Sequence, residues 1–200
     1  MAKQKSSYHH GDLHQTLLKN AATIIKDGGI EALSMRKLAD RCNVSRTAPY
    51  HHFKDKNELL CAIAIEGFNQ QKMTVNNIQD PCSEHTALKQ FEQYVLAYIR
   101  FADQHPETYD LMFGKEIWKI GTPTKPLKDV SKASFRQWVD WVGTLQQQNV
   151  LPNTEPTLRV AQTCWATLHG LCRLMNDGIY LDRKNLEEMA QSAVNMLIIK

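Results

Sequence analysis

Between Ser34 and Leu60 the chain reads SMRKLADRCNVSRTAPYHHFKDKNELL, and no other stretch restricts the fold so tightly. Met35, Leu38, Ala39 and Cys42 recur at helical spacing and form one apolar stripe. Ser34 stands directly before them, where a side-chain oxygen can satisfy an orphan N–H of the first turn. Asn43 falls where the chain must turn sharply, and asparagine tolerates the left-handed backbone that such a turn needs. Val44 is placed to plug the angle between two helices, and Ser45 to cap the second. That second helix is expected over Arg46 to Phe53, about two turns, too short to be stable without neighbours. Asp55 and Glu58 then have the spacing of a capping box, which starts a further helix.

Two short helices joined by a sharp turn are the arrangement that presents a reading helix to the DNA major groove. The side chains sort accordingly. Arg46, Thr47 and Ala48 lie near the start of the second helix, where base edges are met, and Ser45 precedes them. Tyr50, His51 and His52 add hydroxyl and imidazole groups, Phe53 anchors the helix inside, and Lys54 and Lys56 supply charge for the phosphates. Ser34, Met35 and Arg36, at the start of the first helix, complete the expected contacts. Charge agrees with this reading. Residues 1–60 carry a net +4 and five of the eight histidines, whereas residues 61–200 carry a net −1. Such an asymmetry favours phosphates and makes affinity depend on salt.

The run MRKLADRCNVSRTAPYHHFKDKNELL resembles the tetracycline-repressor (TetR) family of bacterial transcription regulators, with Val44-Ser45, Tyr50-x-x-Phe53 and Lys56 in register. Two residues depart from the family pattern. Asn43 stands where glycine is common, and Pro49 stands where an aliphatic residue is more usual. Proline removes an N–H and disfavours helical geometry at Ala48, although a first-turn position tolerates it best. The lead-in Tyr8-His9-His10-Gly11-Asp12-Leu13 is similar to that of one subgroup, which implies that His9, His10 and Gly11 lie near the phosphates. The adjacent His9 and His10 seldom converge on one ion, and no cysteine or carboxylate joins them at ligand spacing, so neither metal nor cofactor is expected.

The remainder of the chain is helical in pattern, with no strand signal, and the fold expected is all-α. Residues 1–55 form a helix-turn-helix domain, and residues 56–200 a larger helical domain for ligand binding and dimerisation. The first helix is expected over Leu13 to Asp27, ended by Gly28-Gly29. A linking helix runs from Lys56 to about Val75, and Ser83 can cap the helix that ends at Gln104. Glu107 to Phe113 is a short helix, Trp118 to Lys128 reads as loop, and Asp129 to Gln148 is helix. The last pair, Thr157 to Asp177 and Leu186 to Ile199, shows more apolar surface than one core contact requires. A four-helix dimer seam is expected from it, with an intramolecular hairpin as the alternative.

All four tryptophans, Trp118, Trp138, Trp141 and Trp165, fall in this half with Tyr94, Tyr98, Phe101 and Phe113. The segment Trp165-x-x-x-His169-Gly170 looks like a signature of a TetR subgroup, and its Trp165 and His169 stack on one helix face. Aromatic residues at this spacing fill cores as readily as pockets, but pockets for small molecules are mostly apolar with a few polar groups. These eight aromatics and His169 are therefore the expected ligand contacts. Glu92 and Asp140 are the nearest acids, so a neutral or lipophilic effector is expected over a cationic one.

Composition narrows the classes. No run of roughly 18 apolar residues exists to span a membrane, and the polar N-terminus resembles no secretory signal. Five cysteines without a C-x-x-C pair fit reduced, buried thiols of a cytoplasmic protein. No G-x-S-x-G, P-loop, H-E-x-x-H or dinucleotide fingerprint is present, so no enzyme is expected. The reading that follows is a homodimeric regulator, implied by the family to be a repressor released from a palindromic operator by a small molecule. An interaction or architectural DNA-binding protein is the alternative.

Overall fold

The computed structural model describes residues 10–79, 86–179 and 183–199, residues 10–12 by backbone alone. Among them the regular structure is helical. In order these are α1 (His10–Gly28), α2 (Met35–Arg41), α3 (Lys56–Ile78), α4 (Ala87–Gln104), α5 (Pro106–Phe113), α6 (Lys125–Gln147), α7 (Thr157–Asn176) and α8 (Leu186–Leu197). Short 3-10 turns lie at Ile30–Ala32, Ala48–His51 and Arg183–Asn185, and one π-helical turn at Glu116–Ile120.

Local chemistry explains most of the ends. Ser34 Oγ accepts from the Lys37 N–H at 3.1 Å and starts α2, as its position suggested. Gly29 closes α1 at φ 75°, and Asn43 turns the chain after α2 at φ 53°. Asp55 Oδ1 accepts from the Glu58 N–H at 2.8 Å, while Glu58 Oε2 accepts from the Lys54 N–H at 2.6 Å. The capping box therefore forms, with its reciprocal bond one residue earlier than usual. Several boundaries differ from the sequence reading: α1 begins at His10, three residues before Leu13, and α8 ends at Leu197, short of Ile199. α3 runs on to Ile78, and α6 begins at Lys125 within the segment read as loop. Thr124 caps α6 through the Leu127 N–H, and Pro126 occupies a first-turn position where its missing N–H costs nothing. Ser83 and Cys82 lie outside the described residues.

Two apolar cores result. One joins α1, α2 and the first half of α3 through Leu17, Leu38, Phe53, Leu59 and Phe68, and takes in Leu111, Met112, Ile117 and Leu127. The other gathers Phe91, Val95, Ile99, Tyr109, Val142, Leu168 and Val194 from α4 to α8. Within it α8 packs chiefly on α4 and only lightly on α7, so the last two helices do not form a self-contained hairpin. The long α3 crosses between the cores. At Gly67 it comes so close to α5 that a Cβ there would lie 2.5 Å from Met112 Sδ and 2.7 Å from Thr108 Cγ2.

Candidate nucleic-acid interface and internal cavity

The segment after Asn43 carries the main departure from the sequence reading. No two-turn α-helix spans Arg46 to Phe53; a single 3-10 turn, Ala48–His51, stands in its place. Pro49 is the cause, because it has no N–H and biases Ala48 against the α conformation. The backbone settles for shorter bonds, Ala48 N–H to Ser45 O at 2.9 Å, Tyr50 N–H to Thr47 O at 3.1 Å and His52 N–H to Pro49 O at 3.1 Å. Ser45 does not cap through its side chain; its hydroxyl lies 3.1 Å from that of Thr47.

This turn has a dry side and a wet side. Pro49 and Phe53 are buried, Val44 packs beneath them, and His14 of α1 tilts onto Phe53 at 5.0 Å. Outward stand Ser45, Arg46, Thr47, Tyr50, His51 and Lys54, all exposed, with Ser34 and Arg36 of α2 exposed nearby. Tyr50 is 55 % exposed, a large ring that the fold leaves uncovered. Ala48 and His52 are half-buried, His52 with its ring 5.8 Å from that of His14. Met35 is a correction. It is 6 % exposed and belongs to the core, so its side chain is not part of the exposed surface that Ser34 and Arg36 share. Lys56 is held back as well, since its Nζ donates to Ile30 O at 2.7 Å. His10 begins α1 by its backbone, and His9 lies outside the described residues.

In the other half, a cavity of about 460 Å³ opens between α3, α4, α5, α6 and α7. It brings together Tyr94, Tyr98, Phe113, Trp118, Trp138, Trp165 and His169 of the expected set. Phe101 and Trp141 do not line it: Trp141 borders a side hollow of about 50 Å³, and Phe101 borders one of about 40 Å³ and a separate groove of about 490 Å³. Sequence reasoning missed Phe68 and Gln71 of α3, Met112, and Ser131, Ser134 and Phe135 of α6. On α3 the signal was available, since Gln71 interrupts an apolar series of Ala64, Phe68 and Val75 at helical spacing.

The wall is ordered by rings and hydrogen bonds. Trp165 stacks on His169 at 5.0 Å, His169 on Tyr109 at 5.5 Å, and Tyr94 on Trp138 at 4.9 Å. A chain of bonds joins Trp165 Nε1 to Tyr98 Oη at 3.1 Å, Tyr98 to Tyr109 at 3.0 Å, and Tyr109 to His169 Nδ1 at 2.6 Å. One direction of donation, from Trp165 towards Nδ1, uses each donor once and leaves the proton of a neutral His169 on Nε2. Burial drives the Tyr98 and Tyr109 hydroxyls well above the usual phenol range. It also pushes the Cys164 thiol up to about 11 and Cys172 to about 12, so neither holds a thiolate near neutrality. Trp118 is part of the lining, its Nε1 donating to Met112 O at 2.8 Å. Its π-helical turn leads to a clasp on α3, where Asn57 Nδ2 donates to Thr122 O at 2.9 Å and Asn57 Oδ1 accepts from the Thr122 N–H at 3.1 Å. Gly121 is needed there, since a Cβ would sit 2.6 Å from Asn57 Oδ1.

Known proteins share this arrangement. A family model described as "Bacterial regulatory proteins, tetR family" matches residues 17–63, and one described as "Tetracyclin repressor-like, C-terminal domain" matches residues 91–197. The chain belongs to the TetR family. A protein of unknown function from Rhodococcus sp. RHA1 is 30% identical and superposes with a TM-score of 0.80, covering 96% of each chain. The TetR family regulator PfmR from Thermus thermophilus has a TM-score of 0.69 at 18% identity over 91% of this chain and 96% of its own, a likeness of fold. The class C tetracycline repressor protein of Escherichia coli is 35% identical over 63 residues, which is 32% of this chain and 26% of that protein. The chain thus spans about a quarter of the length of the first curated relatives it matches, 26% and 23%. The TetR family is one of transcriptional regulators, not of enzymes. Among the described residues, no helix is long and apolar enough to cross a membrane.

For a TetR protein the half-buried His169 has a measurable consequence. Burial lowers its pKa from the ordinary 6.5, and the Arg173 cation one turn away lowers it further. Arg173 itself is paired with Asp110 and Asp177, and the other neighbours of the imidazole are Tyr109, Phe113 and Trp165. As pH falls through 6.5 the unfolded chain takes up this proton before the folded chain does. Stability is therefore complete above that pH and declines from it towards the lowered value. Urea unfolding midpoints across this range should show the decline, and His169→Gln should flatten it.

Proposed function

We propose that this chain is a homodimeric, effector-responsive repressor of a palindromic DNA site. Residues 1–55 read the DNA, and residues 56–200 bind the effector and dimerise. The observation that carries the reading is the wet side of the Pro49 turn, where Ser45, Arg46, Thr47, Tyr50, His51 and Lys54 stand exposed over a buried Pro49–Phe53 anchor. Exposed cations and hydrogen-bonding side chains on one short segment are what phosphate and base-edge contacts require. The N-terminal positive charge adds salt-dependent affinity.

Support for the dimer comes from α7 and α8, which expose the apolar side chains Leu158, Ala166, Leu174 and Met196, with Thr163 and Ser192 exposed beside them and Arg159, Glu187 and Glu188 as the exposed charges on the same helices. Met196 is 82 % exposed, and a Cβ at Gly170 would meet nothing within 4 Å, so another copy's backbone can come close. Support for effector control comes from α3, which lines the cavity with Phe68 and Gln71 and carries the DNA module at its other end. A molecule favouring one setting of α3 changes the spacing of two reading segments, and releases DNA by its differential affinity.

Selection of binding sites from a random duplex library, at two salt concentrations, tests the reading. Recovery of one palindrome with half-sites about 34–36 Å apart, bound more weakly in high salt, is expected. Recovery of no motif would replace the repressor with an architectural DNA-binding role.

A further inference from the structure

The cavity wall narrows the chemistry of the effector, an inference that rests on the effector reading of the same site. Every described side chain that lines the space is uncharged, with His169 kept neutral by burial and Arg173 turned to its carboxylates. Most polar groups of the wall are already committed. Trp165, Tyr98 and His169 belong to one bonded chain, Trp118 donates to Met112 O, and Ser131 Oγ donates to Lys128 O at 3.1 Å. Gln71 is different. Its Nε2 is shielded from solvent and has no hydrogen-bond partner among the described residues. A primary amide offers two N–H donors, and native structures rarely leave such a group unpaired. Ser134 of α6 lines the same cavity, and both it and Gln71 also border a side hollow of about 50 Å³. The cavity therefore has a polar corner between α3 and α6, with the Nε2–H of His169 as a separate donor on α7, and an aromatic remainder made by Phe113, Phe135, Trp138 and Trp165.

We propose that the cavity takes a neutral, largely apolar carbonyl compound whose oxygen accepts from Gln71, with Ser134 beside it. A carbonyl supplies the acceptor that Nε2 lacks and brings no charge into a wall without a counter-charge. A carboxylate would find no cation in the lining of the main cavity, since Lys72 borders only the side hollow and is exposed to solvent, and a hydrocarbon would leave the amide unsatisfied. Gln71 lies on the helix that carries the DNA module, so the bond that selects the ligand also holds α3 in one setting.

Tryptophan fluorescence titration of the full chain tests this without DNA. Two matched trios serve as probes: fluorenone, fluorene and fluorene carboxylate; and methyl nonyl ketone, undecane and undecanoate. In at least one trio the ketone should bind roughly fivefold to tenfold tighter than both counterparts, the effect of one net hydrogen bond. Gln71→Leu, which keeps the volume and removes the donors, should erase that preference while retaining hydrocarbon binding. Two outcomes overturn the proposal. One is the failure of both ketones to bind ahead of their counterparts in the wild type; the other is a preference that survives in Gln71→Leu. Because the wild-type comparison needs no variant, a misfolded Gln71→Leu cannot rescue the idea. Ketone binding that leaves a selected operator complex intact would uphold the ligand class and sink the effector reading, so the two failures are separable.

Discussion

Tyr50→Ala and Arg46→Ala are each expected to lower affinity for the selected operator by roughly tenfold to a hundredfold, the effect of about 1–3 kcal/mol per lost contact. Both side chains point into solvent from a turn whose anchor lies elsewhere, so thermal unfolding should not change. Arg46 has no ion pair among the described residues, and its removal leaves no buried charge behind. Fluorescence anisotropy with labelled operator and a scrambled duplex would measure the effect. Equal loss on both duplexes would mark a phosphate contact, and loss on the operator alone a base contact. Lys56→Ala is a poor substitute for either, because it also removes the bond to Ile30 O. Unchanged operator affinity in both variants would remove the Pro49 turn from the reading surface.

Gly67→Val is expected to destabilise the protein by about 1–3 kcal/mol, the usual cost of overpacking. For a chain of this size that is a fall in Tm of roughly 2–4 °C per kcal/mol. A first carbon at this position already collides with Met112 Sδ and Thr108 Cγ2; Met112 can swing towards the cavity it lines, but Thr108 is buried and β-branched and has little rotamer freedom to give way. α5 must then move away from α3, and with it Tyr109 and Phe113, which hold the bonded chain and the cavity wall. Binding of the cavity probes should weaken in parallel with stability. Denaturant unfolding and the same fluorescence titration would report both, and an unchanged unfolding midpoint would show that the helices slide without cost.

Much of the architecture is legible in the sequence because an apolar stripe at helical spacing has one physical use. Leu17, Leu38, Leu59, Val95, Val142 and Leu168 sit in cores where their periodicity places them. Breakers are harder to interpret. Pro126 reads as the mark of a loop, although behind Thr124 it starts a helix. Pro49 reads as an irregularity within a helix, yet it replaces the helix by a 3-10 turn. The cavity is partly legible. Aromatic residues announce a pocket but not which faces open onto it, so Trp141 and Phe101 fall within the expected set and Phe68 outside it. Met35 is expected with its exposed neighbours Ser34 and Arg36, whereas its own membership of the apolar stripe points to the core.

On the proposed reading, the brevity of the Pro49 turn limits how much of a genome it can tell apart. A 3-10 turn rises about 2.0 Å per residue, and base pairs stack about 3.4 Å apart. Ala48–His51 therefore faces roughly two base pairs, and with Ser45 to Thr47 in front of it each copy can question about three or four. Two copies specify roughly seven positions, a sequence that recurs by chance on the order of once in ten thousand base pairs, against millions of competing sites. The missing information has to come from beyond the turn, including the spacing of the half-sites and the stiffness of the DNA between them. Altering the untouched central base pairs of the operator should then change occupancy as strongly as altering a contacted one.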